Sequence, residues 1–163
     1  MIRFLVMDVD GTLTDGKIYM GQQGELFKAF DIKDGYGIRH LLPTKGIIPV
    51  VITARESRIV ENRCCELDIT ELHQGCMNKY ETLQEILYRY SVLDGCSYSL
   101  SDVAYVGDDV LDLQCMNPIK AAGGLVFCPP DAIPEVRAIA DFIPSRTAGN
   151  GAVREIIDHL LLA

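Results

Sequence analysis

The apolar positions of this chain follow two alternating rhythms. Short, mainly apolar runs at Ile2–Met7, Ile47–Ile52, Val103–Val106 and Leu125–Phe127 have the length of parallel strands buried on both faces. Between them the apolar positions shift to a helical period. Val60, Cys64 and Leu67 share one face of Glu56–Leu67. Tyr80, Leu83, Leu87 and Tyr90 do so in Asn78–Tyr90, and Val153, Ile156, Ile157 and Leu160 in Ala152–Leu162. A shorter helix is expected from Asp34 to Leu42, ending before Pro43, and Pro49 belongs near a strand start or at a sheet edge. This alternation predicts an α/β fold, with a parallel sheet, right-handed crossovers and helices on both faces. One interruption follows the first strand. Lys17–Met20 and Glu25–Phe30 flank Gly21-Gln22-Gln23-Gly24 and read as a β-hairpin flap. No repeat, low-complexity tract or linker divides the chain, so residues 1–163 are expected to form one domain.

Composition narrows the function classes. The 163 residues are 48% hydrophobic and 23% charged, which excludes a disordered or collagen-like chain. Fifteen basic residues against 23 acidic ones give a net charge of −8, a surface that repels nucleic acid and anionic lipid. No apolar run approaches the ~18–20 residues of a membrane span, and the N-terminal run breaks at Asp8, too early for a signal-peptide core. Six cysteines without a C-x-x-C pair point to reduced thiols and a cytoplasmic location rather than zinc or disulfides. His40, His73 and His159 have no metal-ligand spacing.

Ligands of open α/β sheets bind beyond the carboxyl ends of the strands. There the first run is followed by Asp8, Val9, Asp10, Gly11 and Thr12, the second by Thr53, Ala54 and Arg55, and Val103–Val106 by Gly107, Asp108 and Asp109, with Asp112 a turn later. Lys79 opens the following helix pattern. Taken singly, each has an ordinary structural role: a cap, a turn former, a surface lysine. Together, four segments aim complementary groups at one edge. Asp8, Asp10 and Asp108 would repel one another, which a hard divalent cation relieves; oxygen ligands favour Mg²⁺. Lys79 adds a point charge able to hold a carboxylate and a phosphoryl oxygen.

The segment Asp8-Val9-Asp10-Gly11-Thr12-Leu13-Thr14-Asp15-Gly16 resembles the first motif of the haloacid dehalogenase superfamily of phosphatases. Thr53, Lys79 and Gly107-Asp108-Asp109 with Asp112 resemble the second, third and fourth. Closer still is the resemblance to 3-deoxy-D-manno-octulosonate 8-phosphate phosphatases, with sialic-acid-type 9-phosphate phosphatases as the alternative. It is carried by the hairpin Ile18–Phe30, Asp34-Gly35-Tyr36-Gly37-Ile38, Gln74-Gly75 ahead of Asn78-Lys79, and Gly151-Ala152-Val153-Arg154-Glu155. The chain departs from that pattern at Ala54 and Ala148, where glycines are usual.

The resemblance implies a Rossmann-like fold without a cap domain, since the gaps between motifs hold only the hairpin, two helices and a short strand. It implies an Asp8 nucleophile and an Asp10 acid/base. Mg²⁺ would be held by Asp8, Asp108 and the main-chain carbonyl of Asp10, and phosphoryl oxygens by Thr53 and Lys79. Asp109 would orient Lys79 or a metal-bound water, and Asp112 would support or cap. Arg55, with Arg63, is expected to meet a sugar-acid carboxylate. A homotetramer is expected, in which hairpin 18–30 and the tail near Arg154 reach a neighbouring site. A receiver domain, which phosphorylates an aspartate on a middle strand and lacks the Asp10 group, fits this order poorly. No GxxxxGK[ST] loop supports a P-loop kinase.

Overall fold

The structure is a computed structural model that describes residues 1–162; Ala163, the last residue of the expected domain, lies outside it. In chain order come β1 (Phe4–Met7), β2 (Tyr19–Gly21), β3 (Gly24–Phe27), α1 (Ile32–Tyr36), β4 (Ile48–Ile52), α2 (Arg58–Glu66), β5 (Glu71–His73), α3 (Lys79–Asp94), β6 (Val103–Val106), α4 (Leu113–Ala121), β7 (Leu125–Phe127), α5 (Pro134–Ile139) and α6 (Ala152–Leu162). Five strands form a parallel sheet in the order β5-β4-β1-β6-β7, and β2 and β3 form a separate antiparallel pair.

β1 is the central strand, paired with β4 (Phe4 opposite Ile48) and with β6 (Phe4 opposite Val103). Its four residues are wholly buried, as a strand covered on both faces requires. Phe4 and Val6 join Leu83, Ile86, Met116 and Val136 from α3, α4 and α5. Leu5 and Met7 join Val60, Cys64, Val153 and Ile156 from α2 and α6. Each such side chain stabilises the fold by roughly 1.5–3 kcal/mol relative to exposure.

Several boundaries differ from expectation, each for a local reason. The helix expected over Asp34–Leu42 is α1 followed by a π-helical turn, Gly37–Leu41, and a 3₁₀ turn, Leu42–Lys45. Pro43 does not end the helical path; it occupies the first turn of the 3₁₀ segment, where its missing N–H is not needed. Pro49 is the second residue of β4, opposite Leu5, and β5 joins β4 only from Val50 onward, so proline sits where β4 has one neighbour. The pattern missed α4, which contains Pro118, and α5, which is only six residues long. The second hairpin strand stops at Phe27 rather than Phe30.

Between β1 and β4 the chain holds only the hairpin, α1 and the two helical turns, and between β4 and α3 only α2 and β5. β4 and β6 lie on opposite sides of β1, so the chain order reverses beside the central strand. Sheets of this kind open a crevice at such a point.

Candidate active site

Asp8 follows β1 directly and its N–H donates to Val106 O at 3.0 Å, tying it to β6. After it the N–H groups of Thr12, Leu13 and Thr14 all turn back on Val9 O (3.2, 2.9 and 3.1 Å). This tight turn requires Gly11 twice over. Its φ is +89°, and a Cβ there would lie 2.0 Å from Asp108 Oδ2. The close approach lets Thr12 Oγ1 donate to Asp108 Oδ1 at 3.3 Å.

Lys79 is the first residue of α3. Asn78 caps that helix by accepting from Glu81 N at 3.2 Å, and Lys79 N donates to Gln114 Oε1 at 3.1 Å. Its side chain is buried. Nζ lies 2.8 Å from Asp8 Oδ1 and 2.7 Å from Asp112 Oδ1. Asp112 accepts from four donors: Lys79 Nζ, Tyr105 OH (2.9 Å), and the N–H groups of Asp108 (2.9 Å) and Asp109 (3.1 Å). Asp112 thus caps the turn after β6 and also holds Lys79. Asp109 does not hold Lys79. Its carboxylate accepts from Val110 N at 2.7 Å and starts its own 3₁₀ turn.

The electrostatics follow from three acids facing one ammonium. Burial, then Asp112, raises the Asp8 carboxyl to about 6. Burial, then Asp112 and Asp8, raises Asp108 to about 8. Burial works against the Lys79 charge, yet Asp8 and Asp112 outweigh it and hold the ammonium above its ordinary value. Burial and Asp112 push the Tyr105 phenol well above its usual range. An excess negative potential runs through the whole cluster.

Oxygens of Asp8, Asp108 and Asp112 lie within 4.8 Å of one another. The donor set fits a hard divalent ion: all oxygen, close, and short of positive charge. Both oxygens of Asp112 are already committed. The Asp8 carboxylate accepts from Lys79 and that of Asp108 from Thr12, and each retains lone pairs for a cation. The side chain of Asp10 is not in this cluster; it accepts from Lys28 Nζ, and Arg55 Nη1 lies 3.7 Å from the same oxygen.

Thr53 directly follows β4 and is buried, its N–H donating to His73 O (2.9 Å) and its carbonyl accepting from Cys76 N (3.0 Å). Arg55 also reaches Glu25 at 3.4 Å. Two other predicted cations lie elsewhere. Arg63 bonds Glu66 (2.8 Å) and stacks over Phe30. Arg154 bonds Asp158 (2.9 Å) and stacks over Tyr36, while its N–H donates to Asp34. Neither touches a carboxylate of the cluster. Sequence reasoning missed Lys28, Glu25, Tyr105 and Gln114 as site neighbours.

No protein-family model matches the chain. Comparison with individual proteins is decisive. The chain is 44% identical over 162 residues to 3-deoxy-D-manno-octulosonate 8-phosphate phosphatase of Escherichia coli strain K12, covering 99% of this chain and 80% of that one. The crystal structure of the corresponding phosphatase from Yersinia pestis superposes with a TM-score of 0.86 at 42% identity, over 99% of this chain and 81% of that one. That from Moraxella catarrhalis, solved with a magnesium ion, a phosphate ion and a KDO molecule, gives 0.85 at 37% identity over 99% and 86%. With the strand order, the acidic cluster and the lysine in place, the chain belongs to the 3-deoxy-D-manno-octulosonate 8-phosphate phosphatases, a capless family of the haloacid dehalogenase superfamily.

Proposed function

We propose that this chain is a Mg²⁺-dependent phosphatase that hydrolyses 3-deoxy-D-manno-octulosonate 8-phosphate to the free sugar acid and phosphate. The observation that carries the reading is the Asp8–Asp108 pair beside a buried lysine, on a chain 44% identical to a phosphatase of that substrate.

In this reading an Asp8 oxygen attacks phosphorus, and the phosphorus–oxygen bond to the sugar breaks as the aspartyl-phosphate bond forms. The proton of Asp10 passes to the leaving oxygen. Asp10 then takes a proton from the water that cleaves the aspartyl-phosphate, and Asp8 is regenerated. Lys79, fixed by Asp112, stabilises the phosphoryl oxygens together with the Thr53 hydroxyl. Asp8, Asp108 and the Asp10 carbonyl would hold Mg²⁺, which supplies charge neutralisation at phosphorus. Arg55 would grip the sugar-acid carboxylate.

Among the described residues no cap domain lies above the site, and the hairpin presents Ile18, Met20, Leu26 and Phe27 half or more exposed. This supports a homotetramer closed by hairpins and by tails carrying Arg154. Among the described residues no helix is long and apolar enough to cross a membrane, and the six cysteines are free thiols; both support a cytoplasmic location.

The test is phosphate release from octulosonate 8-phosphate and from nonulosonate 9-phosphates with and without Mg²⁺. The expected result is metal-dependent turnover that favours the eight-carbon substrate and is lost in Asp8→Asn. Turnover surviving that substitution rejects the nucleophile, and preference for a nine-carbon ester rejects the substrate.

A further inference from the structure

A lysine removed from water must be paired, because its charge has lost hydration. Lys28 follows β3, and its side chain is 1% exposed. Its Nζ donates to Asp10 Oδ1 and lies 2.9 Å from Glu25 Oε1, on its own hairpin. Glu25 is anchored in turn to the β4–α2 connection. Ser57 Oγ donates to its Oε2 at 3.1 Å, and Arg55 Nη1 stands 3.4 Å from Oε1. Two cations and two anions thus link the flap to the loop that carries the acid/base.

Geometry gives this linkage a consequence for Asp10. A carboxylic acid carries one proton on one of two oxygens, and only the oxygen facing the leaving group can deliver it. The Lys28 ammonium is purely a donor, so the Oδ1 it contacts must remain an acceptor. We propose that Lys28 is a positioning residue for Asp10. By holding Oδ1 it fixes the carboxyl plane and directs the proton to Oδ2, from which it passes to the leaving oxygen as the phosphorus–oxygen bond breaks. The inference rests on the reading of Asp10 as the acid/base proposed above. It makes the hairpin part of the proton-transfer apparatus as well as a cover.

Leaving-group dependence tests this directly. The alkoxide leaving from a sugar phosphate needs a proton, whereas p-nitrophenolate departs without one. First-turnover rates are measured with both esters for the full chain, Lys28→Met, Lys28→Arg, Glu25→Gln and Asp10→Asn, with thermal melts of each. Lys28→Met is expected to slow first-turnover cleavage of the sugar-acid phosphate about tenfold or more, part of the 10²–10⁴-fold that general acid catalysis supplies. Its half-saturating concentration and its first-turnover release of p-nitrophenolate should stay within about twofold. Lys28→Arg should recover most of the loss, and Glu25→Gln, which loosens the lysine without removing it, should show the same split in weaker form. Equal losses on both esters, or a loss confined to half-saturation, would overturn the positioning role. Should Asp10→Asn itself treat the two esters alike, the acid/base assignment fails and the inference falls with it.

Discussion

Asp8, Asp108 and Lys79 were readable from sequence because each stands where a strong pattern changes, at the end of an apolar strand or the start of an amphipathic helix. Lys28 and Tyr105 were not. A lysine in a hairpin looks like a solvated lysine, and only a strand ending at Phe27 turns Lys28 inward. Tyr105 sits inside an apolar run and reads as core; its hydroxyl contact to Asp112 depends on the turn after β6 folding back. Arg55 lies beside Asp10, and its ion partners Asp10 and Glu25 come from separate segments that no spacing rule connects. If it grips the sugar-acid carboxylate, Arg55→Ala should raise KM for octulosonate 8-phosphate on the order of tenfold, the scale of a charge-assisted hydrogen bond. KM for p-nitrophenyl phosphate should barely move; parallel increases on both substrates would remove Arg55 from substrate recognition.

At the scale of elements, the sheet strands and the last helix were legible because burial on both faces, or along one stripe, leaves an unmistakable period. Elements set by local backbone chemistry were not. The π-helical turn after α1 and the proline-containing α4 obey packing that the apolar pattern does not report. The hairpin was recognised but drawn too long. Its strands span Tyr19–Gly21 and Gly24–Phe27, with a bulge between Tyr19 and Met20 and a stacked Tyr19–Phe27 pair at 4.4 Å. Its outward apolar residues Ile18, Met20, Leu26 and Phe27 are half or more exposed among the described residues. Light scattering should therefore give a tetramer of this 18.0 kDa chain, and Met20→Asp, at a position 63% exposed, should shift it to smaller species. A monomer for the unaltered chain would eliminate the hairpin interface.

For the whole molecule, the site sets a cost that depends on pH. Asp8 and Asp108 have carboxyls raised to about 6 and about 8, and Asp34, buried where it accepts from Arg154 N, is raised by burial to about 6. A raised acid favours folding while protonated, so this contribution is full below the unfolded carboxylate range and is lost as pH climbs through the folded values. The metal-free protein should lose stability from these groups between about pH 4 and 8. Mg²⁺ should stabilise it increasingly over the upper part of that window, because an ion bound in the cluster would hold Asp8 and Asp108 in their charged forms. Melting temperatures with and without Mg²⁺ at pH 5, 6.5 and 8 check the sign; a magnesium gain largest at pH 5 would contradict it.

The sheet order carries one more consequence. β1 is paired on both flanks and lies beneath helices on both faces, whereas among the described residues β2 and β3 pair only with each other. Amide protons of Phe4–Met7 must therefore wait for the deepest opening of the protein before they exchange with solvent deuterium, and those of the hairpin can leave in shallow, frequent fluctuations. The fold places its most durable backbone directly before Asp8 and a more yielding one in the hairpin.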